Sequence, residues 1–301
     1  GSNSLSITTT SGNNADFAWW QLASSSTDIP YIADQVFRGR FEIQSTEAPA
    51  GWVQIQPRLF QSNNAENAKL NVSANGNVPA ANTPQTYELF YQPTGGGTAA
   101  TLLTGLYLID TDAANGGTYT LNSVDIDLLV GLDSLFSQEY VVDAAGDGTF
   151  ASVIELSFSA EITGSGSADA FTWSASTANT LAFAIGQYES GVNYAANKLY
   201  RVVNTISSTA AGDTMPTFKL RLFDDANLIV SERELVGQGV GNSGHMPGAG
   251  GKDLQVYLSS AGIDGQEIRF SFDFINNDPA KSGAITWDRA VVESVDLGSI
   301  P

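Results

Sequence analysis

The side chains able to do chemistry in this sequence are few, and most stand alone. The only histidine, His245, lies in GNSGHMPGAGGKD, a glycine-rich run with no serine or cysteine motif that could form a nucleophile and base pair. Cysteine is absent, which removes thiolate nucleophiles, disulfides and Cys-ligated zinc together. GLDSL, from Gly131 to Leu135, resembles a hydrolase serine block only in outline: the glycine before Asp133 is missing and no histidine partners it. GQGVG, from Gly237 to Gly241, precedes no helical pattern and so is no dinucleotide phosphate loop. A glycosidase needs only two carboxylates, which 32 acidic residues always offer by number, yet no pair falls in a recognisable aromatic-lined motif. The expectation is a protein that is not an enzyme.

Ligand chemistry is better represented. Asp110 and Asp112 in LIDTDAANGG match Asn276 and Asp278 in FINNDPAKSG. Hard cations take carboxylate and carbonyl oxygens presented by loops, so these four residues are a candidate calcium site, with solvated turn residues as the plain alternative. DAAGDGTF, starting at Asp143, is no EF-hand loop, because Ala145 and Ile154 occupy ligand positions. Trp19 and Trp20 are adjacent, and neighbours on a strand point to opposite faces, so a one-sided core takes only one of them. Trp20 and Trp52 are therefore candidate stacking platforms for a sugar ring. Their counterparts further along the chain are Gly186 and Met215, which keep no platform.

Those counterparts exist because the chain repeats itself. ADQVFRGRFEIQST at residues 33–46 returns as ANKLYRVVNTISST at residues 196–209, and RLF at Arg58 returns at Arg221 in the same register. QTYELFY matches KDLQVYL, and TLNSVDID matches TWDRAVVE. The unit spans about 5–128 and its copy about 171–297. A period this long exceeds solenoid and propeller units and indicates duplication of a whole domain. Apolar residues alternate within each run, and turn signals such as NGN, TGGG, NGG and GDG punctuate them. The predicted fold is all-β: two tandem antiparallel β-sandwich, jelly-roll-like domains arising from an internal duplication. Their expected limits are 1–142 and 150–301, with a linker at 143–149.

The aromatic strand, MPTFKLRLF, the glycine-rich loop, KDLQVYL, FSFDFINND and the final TWDRAVVESVDL resemble the galactose-binding-like and carbohydrate-binding-module-like jelly-roll domains of secreted bacterial proteins. In that group the last strand often carries an apolar-Asp-x-x-apolar pattern, matched here by Trp287, Asp288 and Val291. The first copy has Leu121, Asn122 and Val124 there and lacks the aspartate. The resemblance implies a β-sandwich with sugar or calcium binding.

Charge narrows the partners. With 13 Lys+Arg against 32 Asp+Glu the net charge is −19, which repels nucleic acid and anionic membrane surfaces. No apolar run reaches the roughly 18 residues of a membrane helix, so no membrane insertion is expected. Abundant Ser, Thr, Asn and Gly with scarce Lys and Arg suggest a secreted or cell-surface protein; GSNSLS shows no signal peptide, so it reads as a processed end or a cloning remnant. SLSITTT is a polar alternating strand that could pair within its own domain or extend a neighbour's sheet, with Leu5 and Ile7 setting the register in the second case. The leading expectation is a self-associating subunit of an extracellular fibre or layer. The alternative is a two-module carbohydrate-binding protein for a polysaccharide, stabilised by calcium.

Overall fold

Pleating decides which residues of the repeated phrase enter the core. In Val36–Ser45 (β3), Phe37, Phe41 and Ile43 are buried while Arg38 and Arg40 project from the opposite face. In Lys198–Ser208 (β14), Val202 and Ile206 are buried apolar residues, and Val203 and Thr205 stay half exposed on the other side. The computed structural model describes residues 5–9, 16–22, 35–51, 54–61, 66–72, 78–93, 102–110, 117–143, 153–158, 162–167, 170–175, 182–208, 217–224, 229–235, 250–259, 264–276 and 283–301. Among them every long element is a strand, and the only helices are short 3-10 turns.

The first half supplies β1 (Leu5–Thr9), β2 (Asp16–Leu22), β3, β4 (Gln54–Gln61), β5 (Glu66–Leu70), β6 (Gln85–Tyr91), β7 (Leu102–Asp110) and β8 (Gly117–Leu129). Three strands then connect the halves: β9 (Ser137–Asp143), β10 (Val153–Phe158) and β11 (Ile162–Ser167). The second half comprises β12 (Ala170–Ala175), β13 (Ala182–Asn193), β14, β15 (Thr217–Phe223), β16 (Ile229–Leu235), β17 (Lys252–Ser259), β18 (Glu267–Asn276) and β19 (Gly283–Asp296).

One sheet of the first half runs β1-β8-β3-β6, and one sheet of the second contains β12-β19-β14-β17 in the matching order. The opposing layers, β2-β7-β4-β5 and β13-β18-β15-β16, are joined edge to edge by antiparallel pairing of β5 with β16, and β10 completes a nine-stranded sheet. Among the described residues all strand pairings are antiparallel, as expected for an all-β sandwich. Arg38 and Arg201 occupy matching places: Arg38 faces Phe90 and Asp127 across the ladder, and Arg201 faces Tyr257 and Glu293.

At the join, Lys69 pairs directly with Glu232. These residues are 163 positions apart, the spacing that also separates Arg58 from Arg221. A residue and its own counterpart therefore meet, which is the geometry of a two-fold axis between two equal strands. A shared apolar cluster continues the relation: Val36 and Leu199, Phe90 and Tyr257, and Leu129 and Val295 take corresponding places in it. The Phe90 and Tyr257 rings lie 6.4 Å apart across the junction.

Two expectations about connectivity change here. Residues 137–142 of β9 fall inside the 1–142 span expected for the first unit, and β9 pairs with β19 of the second half. Alternation marks a strand but carries no information about which edge it joins. SLSITTT, expected to leave for a neighbouring subunit, forms β1 and pairs with β8 of its own chain, Leu5 opposite Leu121 and Ile7 opposite Tyr119. Hydroxyl contacts at 2.8 Å between Ser6 and Thr120, and between Thr8 and Thr118, fix that register. The polar alternation that looked like an exported strand is an edge strand's solvent face.

Candidate functional site

Arg201, Val203 and Thr205 lie on the outward face of β14, and their ladder partners on β17 and β19 extend that face sideways. A cleft of about 400 Å³ lies over it, lined by Arg201, Val203, Asp253, Gln255, Arg289, Val291 and Glu293, with Gln92 and Asp133 closing it from the first half. The floor is aliphatic at Val203 and Val291. The walls carry carboxylates, amides and guanidinium groups.

Arg201 is the rigid post of the site. Its Nε donates to Glu293 at 2.7 Å, its Nη1 donates to Asp133, and its guanidinium stacks over Phe136 at 4.0 Å. Burial works against its charge, but Tyr257 and Glu293 outweigh that cost and raise its pKa further. Burial pushes the Tyr257 hydroxyl up to about 12, which keeps it neutral while it donates to Gln92 Oε1 at 3.3 Å. Behind it, fully buried Arg233 donates to the carbonyls of Gln255 and Gln92 at 2.8 and 2.6 Å, so both glutamines sit on fixed backbone.

Other groups remain available. Asp253 is exposed and accepts from Thr205 Oγ1 at 2.6 Å, which leaves it further acceptor capacity. Arg289 stands opposite Thr205 in the ladder, and its Nε is buried without a hydrogen-bond partner. Arg289 also lines the cleft, so its guanidinium is a donor group at that surface.

The first half holds the corresponding arginine differently. Arg38 and Arg40 both reach Asp127, at 3.0 and 2.9 Å, and Arg38 also donates to the Pro301 carbonyl at 3.2 Å. The coverings are reciprocal: the turn after β8 packs on Arg201, and the tail after β19 packs on Arg38.

A second polar group crosses the join on the nine-stranded sheet. Lys69 reaches Glu232 Oε1 at 2.6 Å, Lys219 reaches the same oxygen at 3.4 Å, and Arg221 Nε reaches Oε2 at 2.7 Å. Arg221 also pairs with Asp273, which accepts from Ser271 at 2.6 Å. These groups are nearly all paired with one another, so the cluster holds strands together.

The residues singled out in the sequence fall elsewhere. Trp52, Asp112, Asp278 and His245 lie outside the described residues. Asp110 and Asn276 end β7 and β18, where Asp110 pairs with Asp16 and Asn276 with Ala182. Trp20 lies in register with the core residue Leu106, and Trp19 with Tyr107. Trp287 is fully buried, edge-on to Phe270 at 5.8 Å. Among the described residues no group of three or more His, Cys, Asp or Glu could hold a metal ion, and no helix is long and apolar enough to cross a membrane.

The cleft residues were missed because they come from five separate segments. The available signal was alternation: Arg201, Val203 and Thr205 occupy every second position of the repeated phrase, opposite the core set. Asp133 sits in GLDSL, which carries no signal of a cleft wall.

No family model matches the sequence, and no curated protein matches it. Among solved structures the chain is similar to carbohydrate-binding modules of the β-sandwich superfamily, with 8% identity over 93% of this chain and 97% of that one and a TM-score of 0.36. It is also similar to the tandem CBM22 domains at the N-terminus of Paenibacillus barcinonensis Xyn10C, at 9% identity, 96% and 97% coverage and a TM-score of 0.29. A sialidase matches at 11% identity and a TM-score of 0.33, over 62% of this chain, which spans only 20% of the sialidase. These likenesses are remote, and the chemistry of the cleft stands on its own geometry.

Proposed function

We propose that the protein binds a neutral polysaccharide, without turnover, in the cleft over β17, β14 and β19. The observation that carries this is the lining of that cleft: the Arg289 guanidinium beside aliphatic Val203 and Val291, with Gln92, Gln255 and Asp253. A sugar presents hydroxyls that accept from a guanidinium and donate to a carboxylate, and its C–H face suits an aliphatic floor. Three carboxylates against two arginines line the cleft, which favours a neutral chain over an acidic one. Of the three lining carboxylates, Glu293 and Asp133 are both engaged by Arg201, and no serine, cysteine or histidine is among the lining residues, so the groups present suit binding and orienting a ligand. A secreted or cell-surface setting, where polysaccharides are met, is part of the same proposal. So is the origin of the two matching halves by duplication.

Retention on a panel of insoluble and soluble polysaccharides, followed by titration calorimetry, tests the reading. Arg289→Ala and Gln255→Ala should each weaken binding. Loss of a hydrogen bond from a charged group costs about 1.5–3 kcal/mol, roughly a ten- to hundredfold change in Kd for Arg289→Ala. Absence of retention on every polymer overturns the function. Retention abolished by Trp20→Ala and indifferent to Arg289→Ala moves the site to the nine-stranded sheet.

A further inference from the structure

The strands that join the halves serve only the second one. β9 pairs along the outer edge of β19, setting Ala290 opposite Asp143, Val292 opposite Tyr140 and Ser294 opposite Ser137. Those three β19 residues are at most 1% exposed. In the first half, Val124, Ile126 and Leu128 of β8 hold the matching ladder positions, opposite Phe41, Gly39 and Phe37, as the β19 residues stand opposite Asn204, Val202 and Tyr200. Among the described residues no strand pairs with this stretch on its outer side; β1 covers β8 only from Gly117 to Leu121.

Exposure follows the missing strand. Val124 and Ile126 are only half buried, and Leu128 is 42% exposed. Val130, one residue past the end of β8, is 72% exposed. With Leu135 at 40%, Leu128 and Val130 are the large apolar side chains most open among the described residues. On the other face of the strand Asp125 is exposed, while Asp127 is engaged by Arg38 and Arg40.

We propose that the open edge of β8, from Ser123 to Leu129, is a docking site for an extended segment of a partner protein in which apolar residues alternate with basic ones. The chain itself demonstrates the geometry, since β9 fills the same place on β19. Apolar positions of the incoming strand cover Val124, Ile126 and Leu128, and backbone hydrogen bonds complete the ladder. Basic positions meet Asp125. A second copy fits poorly: antiparallel pairing of two β8 edges sets Asp125 and Asp127 against their own kind. Like charges facing across a ladder destabilise it, and each chain already carries −19.

The test uses the full chain and two peptides: one with the sequence of residues 136–144, and the same peptide with Val141→Lys, the position that the register of β9 on β19 sets opposite Asp125. Binding is followed by fluorescence anisotropy, and the site by hydrogen exchange. The lysine peptide should slow exchange at residues 123–129 and bind roughly two- to fivefold tighter than its parent. Asp125→Lys, at an exposed position, should reverse that preference without altering the fold. The proposal is overturned by amides at 123–129 that already exchange slowly in the free chain, or by peptides that leave them unprotected. It is equally overturned if Asp125→Lys leaves the preference unchanged, or if protection appears with rising protein concentration alone, which would make a second copy the occupant.

Discussion

Glu232 shows how a single buried charge is made tolerable. Burial pushes its carboxyl up, but Lys69, Lys219 and Arg221 outweigh that and hold it at about 2. Its ordinary value is near 4.3, so its stabilisation is complete above that pH and lost as pH falls toward 2. Glu232→Gln leaves three cations facing a neutral amide and should cost about 3–5 kcal/mol near neutral pH, read from urea denaturation. Lys69→Met should cost less, since Glu232 keeps Lys219 and Arg221. The gap between the native chain and Glu232→Gln should narrow from about pH 4.3 downward; a gap independent of pH would remove the charge from the explanation. Asp273 runs the other way, because burial raises its pKa beyond what Arg221 restores, so its ionised form is held at a cost.

At the scale of elements, the edges decide behaviour. β1 is an edge strand bound to β8 through five ladder positions and two hydroxyl pairs. Removing residues 1–12 should lower the melting temperature and speed amide exchange at Gly117 to Leu121, with the oligomeric state unchanged in sedimentation. An assembly that disperses on this truncation would restore β1 to an intermolecular role. β9 has the opposite consequence: it seals β19 and so leaves Ala290 and Val292 fully buried. The open stretch of β8 is the same surface without its cover.

For the whole molecule, the halves share one continuous sheet through β5 and β16 and one apolar cluster through Phe90, Tyr257 and their neighbours. Energy stored in shared contacts couples unfolding. Calorimetry should therefore show one transition for both halves. Phe90→Ala, removing a side chain only 2% exposed, should lower that transition as a unit, with about 3–5 kcal/mol lost. Two resolved transitions, only one of them moved by the substitution, would show the halves to be independent.

The amino-acid sequence by itself determined the strands, because pleating ties burial to every second residue. The alternation of Phe37, Phe41 and Ile43 against Arg38 and Arg40 could be read directly, and its return at Tyr200 to Ile206 placed the matching strand. The turn-rich spacing likewise led to an all-β sandwich. Tertiary structure alone decided which edges meet. A strand's residues encode its two faces, whereas its edges are backbone and look alike in any sequence, so the pairing of β5 with β16, of β9 with β19 and of β1 with β8 was invisible. The cleft inherits the same limit: Gln92, Asp133, Arg201, Gln255 and Arg289 become neighbours only when those edges close.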